Sequence, residues 1–198
     1  MCTENYLDLN VKKTKELLID FRRNPEPVPE LTIKGIAVER VNEYKYLGTV
    51  LDDKLNSNAN TNHIFKKCQT RIYCLQKLRI LEVNQSILQT FYRFFIESVI
   101  TFGCMCWFGG LNVENKNVIA KVVKVCSKTL GEGQKSMNEL YECRVKRKAL
   151  SVCGDESHVL ARCYNLLPSG RRYRAPKVKT LRYRNSFVPK SISILNKS

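Results

Sequence analysis

Asp52 and Asp53 are the residues best suited in type and spacing to metal-assisted chemistry, because they form the only pair of adjacent aspartates in the sequence. A polymerase needs two acidic residues to hold two catalytic metal ions near a primer terminus. Two aspartates that follow a predicted strand are also typical of a solvated turn. The two interpretations differ in whether the chain can carry out chemistry by itself.

The histidines and glycines do not form the site of a dioxygenase or of a methyltransferase. An iron and 2-oxoglutarate site needs His-x-Asp and a distant second histidine. Phe65 and Leu160 stand two positions after His63 and His158, where that pattern requires aspartate. The glycine-rich segment 131–133 follows a predicted helix, whereas a cofactor loop of a methyltransferase follows a strand. We expect neither activity within this chain.

Cys143, Cys153, His158 and Cys163 are the best candidates for a zinc knuckle, which needs four soft ligands close together. The gaps between them are nine, four and four residues, and the sequence has no Cys-x-x-Cys. A short polar segment around Cys163 is also a poor position for a nucleophilic site. We therefore expect buried thiols and one surface histidine, with no catalytic residue, no metal and no cofactor.

Nucleic-acid binding is the chemistry with the most support in the sequence. The net charge is +16, and the 42 residues from Ser157 onward contain ten Lys or Arg and no acid. Guanidinium groups neutralise phosphates, and aromatic faces stack on bases. The basic residues are interleaved with Tyr173, Tyr183 and Phe187; the predicted contacts are Arg171, Arg172, Arg174, Lys177, Lys179, Arg182 and Arg184. A solvated tail or a nuclear-localisation patch is the alternative.

Composition places the chain among globular proteins of a reducing compartment. With 198 residues, 43% apolar and 26% charged, it can bury a core. Nine irregularly spaced cysteines favour the cytosol or the nucleus. The most apolar stretch, 87–108, contains Arg93, Glu97 and Gly103, so we expect a core helix and no membrane span.

The pattern of the first 55 residues predicts short strands. Leu17, Ile19 and Phe21 alternate as in a strand, and the proline-rich segment 24–29 predicts an exposed connection. Ile33 and Ile36 flank Lys34-Gly35, which predicts a hairpin within 31–41. A further strand is predicted over 44–51, and residues 1–14 are expected to hold the end of a helix and a polar turn.

From Asn58 the apolar spacing changes to that of helices. The first helix buries Ile64, Phe65, Cys68, Ile72, Leu75 and Leu78, and turns Lys66, Lys67 and Arg71 outward. A second begins after Asn84, with an apolar side made of Ile87, Leu88, Phe91, Phe95, Val99 and Phe102. Further helices are predicted over 113–130 and 137–153, with a short helical piece over 157–166.

Two stretches together resemble a known family. Asn10-Val11-Lys12-Lys13-Thr14, followed by Tyr44-Lys45-Tyr46-Leu47-Gly48, is similar to the end of the palm of a non-LTR (LINE-type) retrotransposon reverse transcriptase. The similarity continues through Trp107 and 168–174 to 186–189. The resemblance implies a primer-grip hairpin, which would place Tyr44, Lys45, Tyr46, Leu47 and Gly48 against the primer strand. It also implies that the first helix follows the template–primer backbone.

The same resemblance places the catalytic aspartates of the family upstream of the Asn-x-x-Lys-Thr motif. Asp52 and Asp53 follow the Tyr-Leu-Gly, so the resemblance favours a solvated turn and implies that the polymerase carboxylates are missing from this chain. Residues 12–48 also resemble the N-terminal domain of an AlkB-homologue tRNA dioxygenase–methyltransferase. Under that alternative the chain would assist a tRNA-modifying enzyme whose catalytic domains lie elsewhere.

The sequence thus predicts an α+β protein in three parts: a β region over 1–55, a helical thumb-like bundle over 56–166 and a basic, largely irregular tail over 167–198. The expected function is RNA or DNA binding, template–primer-like, by a catalytically incomplete reverse-transcriptase fragment. The expected partners include no membrane and no small molecule. The AlkB-homologue module is the alternative, and a translated relic without present function is a third possibility.

Overall fold

A computed structural model describes residues 9–24 and 26–197 and divides the chain into two compact units, Met1–Asn60 and Thr61–Ser198. The first unit contains short strands and the second is helical, which confirms the predicted α+β class. The helix end predicted before Thr14 falls mainly on residues 1–8 and lies outside the described residues. Among the described residues, a 3₁₀ turn lies at Val11–Lys13, with Asn10 as its N-cap.

Short strands of the first unit form separate pairs, and each pair contains two strands. The pairs are β1 (Lys15–Glu16) parallel to β4 (Glu39–Arg40), β2 (Thr32–Ile33) antiparallel to β3 (Ile36–Ala37), and β5 (Glu43–Tyr46) antiparallel to β6 (Thr49–Asp52).

Two-residue turns with positive φ connect both antiparallel pairs. Lys34 and Gly35 have φ of 52° and 75°, and Leu47 and Gly48 have φ of 45° and 88°. Positive φ at both central residues is the type I′ geometry, whose twist matches that of the flanking strands. The hairpin predicted around Lys34 is confirmed. The single strand predicted over 44–51 is wrong, because the Leu47-Gly48 turn divides it into β5 and β6.

The strand predicted from Leu17, Ile19 and Phe21 is also wrong, since regular pairing ends at Glu16. The Asp20 carboxylate accepts a hydrogen bond from the Arg22 backbone N–H at 2.8 Å. Such a local side-chain bond offers the backbone an alternative to a sheet ladder.

Charged pairs, and not a core, link β1 to β4. Lys15 pairs with Glu39, and Arg40 donates to Glu16 at 2.7 Å and to the Pro29 carbonyl at 3.0 Å. Among the described apolar side chains of this unit, only Val38 is buried. Exposed ion pairs contribute little, so this unit has few interactions that resist local opening.

The second unit is built from helices of very different length. They are α1 (Asn58–Ile80), α2 (Gln85–Phe91), a π-helical segment (Tyr92–Glu97), α3 (Ser98–Thr101), α4 (Cys104–Trp107), α5 (Val113–Leu130), α6 (Met137–Cys153), α7 (Leu181–Arg184) and α8 (Phe187–Leu195). The predicted start of α1 at Asn58 is confirmed, and so is Asn84 as N-cap of α2, where its side chain accepts from the Ser86 N–H.

The segment Gln85–Gly110 is long and apolar enough to cross a membrane by length and composition, and it is the one such helix among residues 9–24 and 26–197. Core helices of soluble proteins pass the same test. Phe102 has an extended ψ of 123° and Gly103 a φ of 57°, so the helical path bends there. Its fully buried residues place it at the centre of the second unit; they are Leu88, Tyr92, Ile96 and Ile100.

The apolar side predicted for this helix is partly wrong. Leu88 is buried as expected, but Ile87, Phe95 and Phe102 are exposed. The buried residues recur at every fourth position, and a regular α-helix of 3.6 residues per turn would rotate them by about 40° per step. The wider turns of the π segment cancel this rotation, so the buried side chains stay on the side of the helix that faces the core. The prediction from the sequence assumed a regular α-helix throughout this segment.

Helices α5 and α6 have the bounds that the sequence predicts. In α5, Ile119, Val122, Cys126 and Leu130 are buried, and Gly131 ends the helix with a φ of 74°. Ser136 and Glu139 form a reciprocal capping box at the start of α6. Both signals act between residues a few positions apart, which is why the bounds of these helices can be predicted from the sequence.

The C-terminal segment folds onto α6. Ile192 of α8 packs with Ala149, Val152 and Tyr164 in a second cluster of the core. A Cβ added at Gly109 would lie 2.6 Å from the carbonyl oxygen of Asn185, so glycine permits the close approach of the segment before α8. The helical piece predicted over 157–166 is reduced to a 3₁₀ turn at Ala161–Cys163.

Candidate nucleic-acid interface

The β5–β6 hairpin presents two tyrosines and an apolar tip to solvent. Tyr44 and Tyr46 lie on one face of β5 and Lys45 on the other, because side chains alternate along a strand. Leu47, at the turn, is 76% exposed, and Tyr46 is 58% exposed. The structure therefore brings Tyr44, Lys45, Tyr46, Leu47 and Gly48 together on one exposed hairpin of the first unit. Its rings are available for stacking on bases.

On α1 the three predicted contacts differ in their surroundings. Lys66 is exposed, whereas Lys67 and Arg71 are half-buried. The Arg71 guanidinium donates to the backbone carbonyl of Phe95, on the neighbouring π segment. Arg71 therefore already serves the packing of α1, and its role toward a ligand stays a prediction.

The first basic residues of the tail lie on a small hairpin. The backbone N–H of Leu167 donates to the carbonyl of Arg172 at 2.8 Å, and the backbone N–H of Arg174 donates to the carbonyl of Asn165 at 2.7 Å. Gly170 provides the positive φ of 67° at the turn. The turn thus presents Arg171 and Arg172 to solvent from a defined backbone.

Tyr173 attaches this hairpin, which we call the basic hairpin (165–174), to α8. Its N–H donates to Asn196 Oδ1 at 2.8 Å, and Asn196 Nδ2 donates to the Tyr173 carbonyl at 3.0 Å. The Tyr173 ring packs edge-on against Tyr164, whose hydroxyl pairs with Ser191 at 2.6 Å. A hydrogen bond with Cys153 and burial raise the pKa of Tyr173. The cations of the tail are therefore held on an ordered scaffold.

The remaining tail residues flank or occupy α7. Lys177 and Lys179 are exposed on the irregular segment before it, and Arg182 and Arg184 are exposed on the helix itself. Thr180 caps α7 by accepting from the Tyr183 N–H at 3.2 Å. All ten predicted contacts outside the β5–β6 hairpin belong to the second unit.

The aspartate pair lies at the end of β6, where Asp52 is held in a turn. Asp52 is buried, and its Oδ1 accepts from the N–H groups of Lys54 at 3.0 Å and Asn56 at 3.1 Å. The predicted solvated turn is thus wrong for Asp52, because its carboxylate holds the turn that leads into α1. Asn60, in the first turn of α1, also fixes this corner by accepting from the Val50 N–H at 3.1 Å.

The cysteine and histidine candidates are dispersed. Across residues 9–24 and 26–197, no three His, Cys, Asp or Glu side chains lie close enough to hold a metal ion. His158 Nδ1 accepts from the Leu160 N–H at 3.1 Å, within a local turn. Cys143 is exposed, and Cys153 and Cys163 are half-buried.

One group of basic residues on the fourth predicted helix was left out of the predicted contacts. Arg144, Arg147 and Lys148 line a single depression on α6 together with Met105 and Ser151. Their spacing of three and four positions was the available signal, because it places side chains on one helix face. Asn196, which holds the basic hairpin, carried no such signal, since its partners lie 23 positions away.

A family model described as alkylated DNA repair protein alkB homolog 8, N-terminal, matches residues 57–98. This supports the resemblance to an AlkB homologue but moves it from the β region expected at 12–48 to α1, α2 and the π segment. The match covers less than half of the chain. None of the curated proteins and none of the solved structures compared with the chain matches it. The resemblance to a LINE-type reverse transcriptase gains no support from these comparisons.

Proposed function

We propose that this chain is a non-catalytic polynucleotide-binding module that assists a tRNA-modifying enzyme of the AlkB-homologue class, supplied by another domain or chain. The ordered, acid-free basic segment from Arg171 to Arg184 carries the proposal. Arginines 171, 172 and 174 lie on the basic hairpin and arginines 182 and 184 on α7, whereas Lys177 and Lys179 lie on the irregular segment between them. Binding a phosphate chain through the five arginines therefore needs to order fewer residues than binding through a free tail would.

The partial match supports the choice of enzyme class. It falls on α1, which carries Lys66, Lys67 and Arg71, and on the helix that packs beside it. Asp52, Asp53 and the dispersed cysteines form no catalytic group among the described residues. Under this proposal the partner enzyme carries out the tRNA modification and this chain contacts the RNA.

Fluorescence anisotropy with a tRNA and with a 20-nucleotide single-stranded RNA tests the binding. The affinity is expected to fall linearly with salt on a log–log plot. R171A/R172A is expected to reduce the slope by about 1.4 for single-stranded RNA, because each lost phosphate contact removes about 0.7. The matched control is K121A/K124A on α5. An affinity that ignores salt would contradict the proposal.

The partnership is tested separately by adding the chain to a purified dioxygenase–methyltransferase of the AlkB-homologue class and measuring tRNA modification. We expect the rate at limiting tRNA to rise with wild type and less with R171A/R172A. An unchanged rate would remove the partnership while leaving the binding intact.

A second candidate is the reverse-transcriptase fragment, and the β5–β6 hairpin favours it. An exposed two-tyrosine hairpin is a suitable surface for the end of a primer strand. If this candidate is right, an RNA–DNA duplex with a recessed 3′ end binds more tightly than a blunt duplex, and Y44A/Y46A abolishes the difference. Primer extension by the chain with Mg²⁺ would contradict the absence of catalysis.

A further inference from the structure

The depression on α6 collects cations in a way that the fold itself does not require. Arg144, Arg147, Lys148 and Ser151 recur at positions i, i+3, i+4 and i+7, so they share one face of the helix. Met105 of α4 completes the lining. Arg144 is half-buried, and Arg147, Lys148 and Ser151 are exposed.

None of the described residues that line this depression is a carboxylate. Two other depressions of the second unit that contain lysines also contain an acid: Lys121 and Lys124 lie with Glu114, and Lys146 lies with Glu142. Lysines of those depressions can therefore be balanced by a neighbouring acid, whereas the cations on this face of α6 have no carboxylate among the described residues of their depression.

The positive charges gathered on this face of α6 repel one another, which destabilises the helix in the free protein. Like charges three and four positions apart on a helix destabilise it. The helix dipole does not compensate for this, because its effect is confined to the last turn and α6 continues to Cys153. A ligand that brings negative charge would remove the repulsion.

We propose that this depression, which we call the α6 phosphate site (Met105, Arg144, Arg147, Lys148 and Ser151), binds consecutive phosphates of a polynucleotide strand. The inference rests on the proposed polynucleotide binding and adds a second contact region to the tail. Arg147 suits a two-point contact with one phosphate, and Lys148 a point contact with the next. The Ser151 hydroxyl can donate to a phosphate oxygen.

Met105 selects a nucleotide over a bare anion. Its thioether is apolar and flexible, and such a side chain adapts to irregular apolar surfaces. Met105 is half-buried against the core, and a sugar or a base edge beside the bound phosphates can cover its accessible part, whereas inorganic phosphate leaves that part in solvent. We therefore expect a polynucleotide to gain from Met105 and a small polyphosphate not to.

The salt dependence of single-stranded RNA binding, measured with the full chain, tests the site. R147A/K148A is expected to lower the log–log slope by about 1.4, whereas K121A/K124A changes it by less than half as much. M105A is expected to weaken RNA binding at unchanged slope and to leave the binding of pyrophosphate unaltered. An R147A/K148A slope equal to that of the control overturns the site.

The outcomes separate the site from the proposed function. If the wild-type chain fails to bind RNA, the proposed function and the α6 phosphate site are both contradicted. If R171A/R172A lowers the slope and R147A/K148A does not, only the α6 phosphate site is contradicted. Pyrophosphate binding that R147A/K148A removes, with RNA binding unaffected, also overturns the polynucleotide assignment.

Folding of the variant is controlled by circular dichroism. Alanine favours helix and relieves the repulsion, so R147A/K148A is expected to raise the thermal midpoint at low salt. K148Q, with an expected slope loss of about 0.7, provides an independent variant of the same site. A K148Q slope equal to that of wild type contradicts the contact assigned to Lys148.

Discussion

Asn196 is the residue that joins the basic hairpin to the helical unit. One amide side chain bonds both the N–H and the carbonyl of Tyr173, which closes the hairpin against the end of α8. Residues that contact no ligand can in this way decide how well a binding surface is organised.

Asn196→Ala is expected to lower the free energy of unfolding by about 1–3 kcal/mol, since two partly buried hydrogen bonds are lost. It should also weaken RNA binding a few-fold, because Arg171 and Arg172 lose their fixed backbone. Chemical denaturation and anisotropy measure the two effects. Asn165→Ala removes an exposed asparagine of the same hairpin and should be nearly neutral; equal losses for both variants would contradict the role of Asn196.

Buried thiols couple the stability of the second unit to pH. Burial raises the pKa of Cys68 to about 11 and that of Cys126 to about 12, because a thiolate is disfavoured in the core. An unfolded thiol loses its proton near pH 9.0. The stabilising contribution is therefore complete below pH 9.0 and is lost as the pH rises toward the folded pKa.

The midpoint of urea unfolding is expected to be steady from neutral pH to pH 9.0 and to fall above it. Cys126→Ala should flatten the fall, since one titrating group is removed, and the exposed Cys74→Ala should leave it unchanged. Midpoints measured in steps from neutral to alkaline pH check this. A fall that Cys126→Ala leaves as steep as in wild type would show that other groups control it.

At the scale of elements, the π segment decides which face of the central helix (Gln85–Gly110) is buried. Tyr92, Ile96 and Ile100 lie four positions apart, and they all face the core only because the turns of the π segment are wider than those of an α-helix. Phe94, inside the segment, is 72% exposed and contributes little to the core.

Deletion of Phe94 is expected to be tolerated, because the shortened segment would form regular α-helix with the buried residues still aligned. The thermal midpoint should change by only a few degrees. Deletion of Lys124 from the regular α5 is the matched control, and it should unfold the unit by rotating Cys126 and Leu130 off the core. Similar effects of the two deletions would contradict the role of the π segment.

At the scale of the whole molecule, the two units differ in how they are stabilised. The second has a continuous core that links α1, the central helix, α5 and α6. The first relies on two-stranded pairs and exposed ion pairs, and isolated pairs of this kind are marginal in water.

Hydrogen exchange should therefore show two levels of protection. Backbone amides of β2, β3, β5 and β6 are expected to exchange at least a hundredfold faster than those in the middle of α5 and α6. Mass spectrometry after timed exchange reports both regions in one experiment. Equal protection of the two units would mean that the first is stabilised by interactions other than those described.

The C-terminal helix α8 belongs to the core of the second unit, although it lies within the tail that the sequence predicted to be largely irregular over 167–198. Ile192→Ala is expected to cost about 2–5 kcal/mol of unfolding free energy, because it opens a cavity beside Ala149 and Val152. Ser193→Ala, one position away and exposed, should be neutral. A neutral Ile192→Ala in thermal unfolding would show that α8 is dispensable.

Sequence patterns located the elements that are specified by neighbouring residues. The bounds of α5 and α6, the N-cap Asn84 and the Lys34-Gly35 turn all depend on residues within a few positions of each other. The exposed cations of the tail were also found this way, because charge composition does not depend on the fold.

The amino-acid sequence by itself determined the mixed class, the helix ends and the acid-free basic segment, since propensity, capping and charge act over short distances along the chain. Only the tertiary structure decided which face of the central helix is buried, where Asp52 points and how Asn196 holds Tyr173. Those outcomes depend on groups brought together from distant positions by packing, and no local pattern records which distant group will be the partner.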